Sequence, residues 1–155
     1  MRAACYTGLT NMKYSDFRKT ENGCPFCATP DKEKFLQNDS AFLTFALAPY
    51  HQDHLLVVTK RHFDKVLDAT SKEMSDIDDM EGKAVKILHN LGYKNITILV
   101  REGEGTGKTV EHIHYHIIPD TRIGDLDHDN NNRAILTPEE IAGLSARVRE
   151  VVKSI

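Results

Sequence analysis

No stretch of the chain is long and apolar enough for a membrane helix. The longest apolar-rich run, Ala41 to Ala48, is broken by Thr44 and falls far short of the roughly 20 residues a span requires. The opening Met1-Arg2-Ala3-Ala4-Cys5-Tyr6-Thr7-Gly8 lacks an apolar segment of secretory length, which makes a cytoplasmic location the expectation. Basic residues show no surplus: 20 Lys and Arg against 23 Asp and Glu leave a net charge of -3. Broad nucleic-acid binding is therefore not expected, while a small anionic ligand in a local basic pocket is compatible with that balance. Cysteine is scarce as well. Cys5, Cys24 and Cys27 cannot build a disulfide framework in a chain without an export signal.

What is present suffices for one domain with a real core: 155 residues, 40% hydrophobic and 28% charged. Ser15 to Lys19 reads as a turn of helix in an otherwise irregular start. Lys34 to Gln37 and Ala41 to Leu47 read as a hairpin around Asn38-Asp39-Ser40, and Leu55-Leu56-Val57-Val58 as a buried strand. Thr70 with Glu73 is a helix start, followed by apolar residues at Met74, Ile77, Ala84, Val85, Leu88 and Leu91 and closed by Gly92. Asn95 to Val100 is a further strand. After the polar loop Asp125 to Arg133, Thr137-Pro138-Glu139-Glu140 opens an amphipathic helix through Ile141, Leu144, Val148 and Val151. Strands outnumber helices and are not interleaved with them one by one, so the class is α+β with a largely antiparallel sheet.

In His112-Ile113-His114-Tyr115-His116-Ile117-Ile118, histidine alternates with large apolar or aromatic residues at the period of a strand. Such a strand projects His112, His114 and His116 from one face, roughly 6.6 to 7 Å apart, and sends Ile113, Tyr115 and Ile117 into the core. Three imidazoles in register point to chemistry rather than surface filling.

Gly103-Glu104-Gly105-Thr106-Gly107-Lys108-Thr109 has only three residues between its first glycine and the Gly-Lys pair, one too few for a P-loop. It also leads into a strand, whereas a P-loop opens a helix. Its glycines still allow a backbone to approach a phosphate closely. Cys24-Pro25-Phe26-Cys27 follows Glu21-Asn22-Gly23 and runs into Thr29-Pro30. That is the wrong setting for a redox dithiol, which needs a helix start to lower its thiol pKa. A C-x2-C knuckle joined by two of the eight histidines would suit zinc.

The histidine strand, the upstream block His54-Leu55-Leu56-Val57-Val58-Thr59-Lys60-Arg61-His62 and the approach Gly107-Lys108-Thr109-Val110 together resemble the histidine triad (HIT) family, over roughly Cys24 to Arg122. The resemblance implies a HIT-like fold, with about five strands, a long central helix and a C-terminal helix. It divides the chain into an extension (1–21), the HIT domain (22–122), and a polar loop with a helix (123–155) packed on that domain. It implies a homodimeric nucleotidyl hydrolase or transferase acting on dinucleoside polyphosphates or phosphoramidates. In that scheme His114 attacks the α-phosphorus, and His116 and His54 polarise the phosphate beside Gly107, Lys108 and Thr109. In zinc-containing members the ligands correspond to Cys24, Cys27, His62 and His112, and no catalytic metal is required. The chain departs from the family at Ala46, where a ribose-binding Asp or Asn is frequent, and at Asp53, Thr59, Lys108 and Asp120, where Gly, Pro, Gln and Arg are usual. A catalytically silent nucleotide-binding module is the alternative reading. Another treats His112 and His114 as joint ligands of a catalytic metal.

Overall fold

The structure, a computed structural model, describes residues 12–20, 22–122, 124 and 133–155. Cys5, most of the amino-terminal extension and positions 125–132 of the polar loop lie outside them. Five strands form one antiparallel sheet: β1 (Leu36–Gln37), β2 (Ala41–Phe45), β3 (Leu55–Thr59), β4 (Ile96–Val100) and β5 (His114–Pro119), in the order β1-β2-β3-β5-β4. The helices are α1 (Tyr14–Thr20), α2 (Ser71–Asn90) and α3 (Pro138–Val152). The α+β class and the five-stranded antiparallel sheet are as the sequence implies.

Local chemistry sets the helix ends. Thr70 and Glu73 close a capping box on α2, and Thr137 and Glu140 close another on α3 with Pro138 in its first turn. At the far end of α2, Gly92 takes φ +100°. There the Gly92 N–H donates to the His89 carbonyl and the Tyr93 N–H to the Leu88 carbonyl, an arrangement that needs a residue free of Cβ strain. Ile77, Met80, Ala84, Ile87 and Leu88 of α2 and Leu144 and Val148 of α3 pack on one sheet face, against Leu43, Leu55, Val57, Tyr115 and Ile117.

The opposite face carries Phe42, Ala46, Leu56 and Val58, with Phe26 of the cysteine knuckle upon it. Cover on both sides explains why β2, β3 and β5 are buried throughout rather than at alternate positions. Phe17 of α1 packs with Ala48 and Ile135, tying the amino-terminal segment to the stretch that precedes α3.

Two expected boundaries move. The hairpin strands are shorter than Lys34–Gln37 and Ala41–Leu47, because a 3-10 turn at Asp31–Glu33 holds Lys34 as its cap. The histidine strand joins the sheet at His114 rather than His112. Its preceding residue, Ile113, turns its N–H to the carbonyl of Phe63 at 2.7 Å, beyond the end of β3.

Candidate active site

His114 and His116 face a cleft on the sheet side opposite α2 and α3. Leu56 pairs with His116 and Val58 with His114. Strand alternation therefore puts His54, two residues before Leu56, on the same face, diagonal to His116. All three are buried, at 0%, 7% and 8% exposure for His54, His114 and His116.

Backbone contacts fix where their protons sit. The Tyr50 N–H donates to His54 Nδ1 at 3.1 Å, so neutral His54 carries its proton on Nε2. That Nε2–H donates to His116 Nδ1 at 3.0 Å, which leaves the His116 proton on Nε2. His114 Nδ1–H donates to the His112 carbonyl at 2.7 Å, and its Nε2 keeps a free lone pair. Burial drives the three imidazoles toward the neutral form. It holds His114 down at about 4, with His112, Arg101 and Lys108 adding to the effect against the backbone bond. Burial, aided by Arg133, His114 and Arg101, lowers His54 well below its ordinary value, and burial with His114, His54 and Arg101 does the same to His116.

The cleft encloses about 770 Å³ including its open mouth, within the range of small-molecule sites. Phe26, Phe45, Ala46 and Leu47 are apolar parts of its lining, and Gly107, Lys108 and Thr109 line it as the sequence leads one to expect. Lys108 is neither solvated nor uncompensated: its side chain is 3% exposed and its Nζ lies 3.1 Å from a Glu111 carboxylate oxygen and 4.0 Å from one of Asp64. Three lining residues, Tyr14, Arg101 and Arg133, and Tyr50, which contacts both arginines, were not singled out by the sequence. Tyr14 of α1 approaches Thr109, hydroxyl to hydroxyl, at 3.3 Å. Arg101 follows β4 by one residue and donates from Nη1 to Tyr50 Oη at 2.9 Å. Arg133 lies over the Tyr50 ring at 4.0 Å and donates to the Ala48 carbonyl. Tyr50 in turn stacks on His54. The register Leu99↔His116, extended by two residues, places Arg101 on the histidine face and was the one available signal.

The departures at Asp53 and Asp120 lie outside the cleft. Asp53 is 3% exposed and accepts from Tyr93 Oη and from Arg147 of α3. Asp120 takes φ 44° and receives the Asn95 N–H and side-chain amide at the sheet end. Ala46 does line the cleft, with no polar atom on its side chain.

On the flank of the cleft, Cys24, Cys27, His62 and His112 bring their ligand atoms within 4.8 Å of one another. His112 Nδ1 is 3.3 Å from Cys24 Sγ and 3.6 Å from Cys27 Sγ, and His62 Nδ1 is 3.3 Å from Cys27 Sγ. Tetrahedral zinc with bonds of about 2.0 to 2.3 Å needs ligand separations of about 3.3 to 3.8 Å, a range that these three contacts fall in. His112 Nε2–H donates to the Thr59 carbonyl at 2.8 Å, so its lone pair points at the thiols, the orientation a metal-bound imidazole requires. Residues 25–28 form a turn with no helix behind them, and both thiols are free, which agrees with the rejection of a redox dithiol. His112 and His114 do not converge on a common point for a shared metal, since His112 presents Nδ1 to the cysteines while Nδ1 of His114 is spent on a carbonyl.

A family model described as the HIT domain matches residues 29–123. The bis(5'-adenosyl)-triphosphatase of Dictyostelium discoideum is 30% identical over 102 residues, covering 65% of this chain and 66% of that protein. The hypothetical histidine triad nucleotide-binding protein of Sulfolobus tokodaii superposes with a TM-score of 0.71 at 22% identity, over 84% of this chain and 93% of that one. A zinc-bound histidine triad family protein of Mycobacterium smegmatis superposes with a TM-score of 0.63 at 20% identity, over 86% of this chain and 98% of that one. These two likenesses establish the fold, and the match to the family model over most of the chain establishes the lineage: the chain belongs to the HIT family.

Proposed function

We propose that the protein is a nucleotidyl hydrolase or transferase working through a nucleotidyl-His114 intermediate. The observation that carries this reading is the His114 Nδ1–H bond to the His112 carbonyl, which leaves Nε2 unprotonated in the cleft. The Nε2 lone pair forms a bond to the α-phosphorus as the bond from phosphorus to the leaving group breaks, and the electron pair departs with the leaving group. His114 becomes a phosphorylated imidazolium, its Nδ1–H still held by the carbonyl. His116 Nε2–H, oriented through His54, hydrogen-bonds a phosphate or leaving-group oxygen. Water, or another acceptor in the transferase case, then attacks phosphorus and loses its proton as the bond from phosphorus to Nε2 breaks, and the electron pair returns to His114, which is again neutral. The relation to a bis(5'-adenosyl)-triphosphatase supports a nucleotide substrate.

Zinc bound by Cys24, Cys27, His62 and His112 supplies structural cross-linking in this scheme, and the reaction uses no metal. Free thiols serving as metal ligands suit the reducing cytoplasm. No helix among the described residues is long and apolar enough to cross a membrane. We assign the protein as a homodimer joined through β4, which ends the sheet and exposes Ile98 (45%) and Val100 (37%). Residues 22–122 form the HIT domain, with the segment before it and α3 after it as parts of the same folded unit, as the packing of Phe17 and Leu144 supports.

Ala46 favours one second reading, a silent nucleotide-binding module, because it offers no carboxylate to a ribose. Intact-mass measurement after incubation with dinucleoside polyphosphates and nucleoside phosphoramidates separates the two. A nucleotidyl adduct present in the unaltered protein and missing from His114→Asn supports the enzyme; binding with no adduct and no turnover leaves the module.

A further inference from the structure

Beyond the neutral imidazoles and Lys108, whose ammonium faces Glu111, the cleft is lined by Arg18, Arg101 and Arg133 and by the carboxylate-bearing Glu33. Arg101 forms no ion pair among the described residues, and its Nη2 is buried with no hydrogen-bond partner there. A buried donor without an acceptor is costly, and a site that keeps one is commonly built for a ligand. Arg133 stands on the same support: its guanidinium lies 4.0 Å and that of Arg101 5.5 Å from the Tyr50 ring. Tyr50 stacks on His54 with ring centres 5.6 Å apart, and His54 meets His116. Phe26 lies 4.8 Å from the His114 ring. The cleft thus has an aromatic ring at His114 and two guanidiniums grouped at Tyr50. A nucleobase suits the first and an anion the second.

We propose that Arg101 and Arg133 form a dicationic subsite for the leaving group, selecting substrates in which that group is itself a phosphate chain over those in which it is an amine. This specificity rests on the nucleotidyl-transfer reading above. When the bond to phosphorus breaks, the electron pair stays on the leaving oxygen, and a phosphate chain departs with that added charge facing the guanidiniums. An amine must take up a proton and leaves neutral, gaining little from them. Lys108, with Glu111 against its ammonium, contributes less to this preference.

The test combines binding and turnover for Arg101→Gln and Arg133→Gln. Calorimetry with inorganic tripolyphosphate reports the subsite without chemistry, and AMP, which has no leaving group, is the control. Each variant should bind tripolyphosphate about 10- to 100-fold more weakly, the range of a lost hydrogen bond to a charged group, and AMP within about threefold of the unaltered protein. The ratio of kcat/KM for a dinucleoside polyphosphate to that for a nucleoside phosphoramidate should fall by a similar factor. Tripolyphosphate binding to the unaltered protein should also weaken steeply with salt, a readout that stands if a variant fails to fold. Equal losses for AMP and tripolyphosphate, an unchanged substrate ratio, or salt-independent binding would overturn the subsite. Absence of any nucleotidyl adduct in the unaltered protein sinks the catalytic reading instead, and the tripolyphosphate comparison then decides the subsite alone.

Discussion

His54 Nε2 and His116 Nδ1 meet at 3.0 Å, and because the Tyr50 N–H already occupies His54 Nδ1, this contact has only one neutral hydrogen-bonding sense. His54 is a positioning residue for His116. His54→Ala frees the His116 ring to take either tautomer. His116→Ala and His54→Ala should each lower kcat/KM by about 10- to 100-fold, and the double variant should cost little more than His116→Ala alone. Additive losses in that cycle would show that His54 acts on substrate independently.

His114→Asn should keep nucleotide affinity and lose turnover by about a thousandfold or more, with no adduct, because the bond-forming atom is gone. Steady-state rates with intact-mass detection check this. Turnover at the original rate would end the covalent mechanism.

Acid should affect catalysis and stability in different windows. Neutral His114 is the attacking form, and since burial holds it down at about 4, the acid limb of kcat/KM should lie near there rather than near the ordinary imidazole value of about 6.5. For folding, His54, His114 and His116 all have lowered folded values. Below about 6.5 the unfolded chain therefore binds more protons than the folded one, and stability falls with falling pH. Thermal melts between pH 7.5 and 5 should show a decline, smaller in a His116→Ala variant; a flat profile contradicts the burial argument.

Metal analysis should find about one zinc per chain, and Cys24→Ser should contain none. Chelation should lower Tm by roughly 10 °C, as expected for a loss of about 3 kcal/mol in a chain of this length. The chelated protein should also lose activity through His112, which lies two residues before β5. Protein that stays metal-free under reducing conditions and melts unchanged would rule out the centre.

Charge placed on the outer edge should dissolve the dimer. Ile98→Lys or Val100→Glu puts an ion where β4 would pair with a second copy, and light scattering should report a monomer. An unchanged mass, or a monomer before substitution, removes β4 as the interface.

The parts of this fold that sequence reveals are those written locally. The period-two histidines, the two capping boxes and Gly92 each act within a few residues, so their pattern survives without tertiary contacts. The group around Tyr50 is different in kind. Tyr14 reaches Thr109 across 95 positions and Arg133 reaches Ala48 across 85, so neither has a neighbour in sequence that announces its role. Lys108 was expected at the cleft and is there, but its charge is answered by Asp64 and Glu111, one of them 44 residues away by numbering. The early start assigned to the histidine strand has a similar origin, since only the contact of Ile113 with Phe63 shows where the ladder ends.

Asp53 bears on how far this protein can be trimmed. The carboxylate beside His54 is buried, and one of its partners, Arg147, belongs to a helix beyond residues 29–123, which the family model matches. A fragment cut at the family boundary would leave an ion in the interior beside the triad, and strip Leu144 and Val148 from the core. With Arg147 45% exposed, Arg147→Ala alone should cost about 2 kcal/mol, less than the 3 to 5 of a fully enclosed pair. The carboxy-terminal helix is thus a permanent buttress for the sheet from the side opposite the histidine cleft, and minimal versions of the domain made for engineering or crystallisation must carry it.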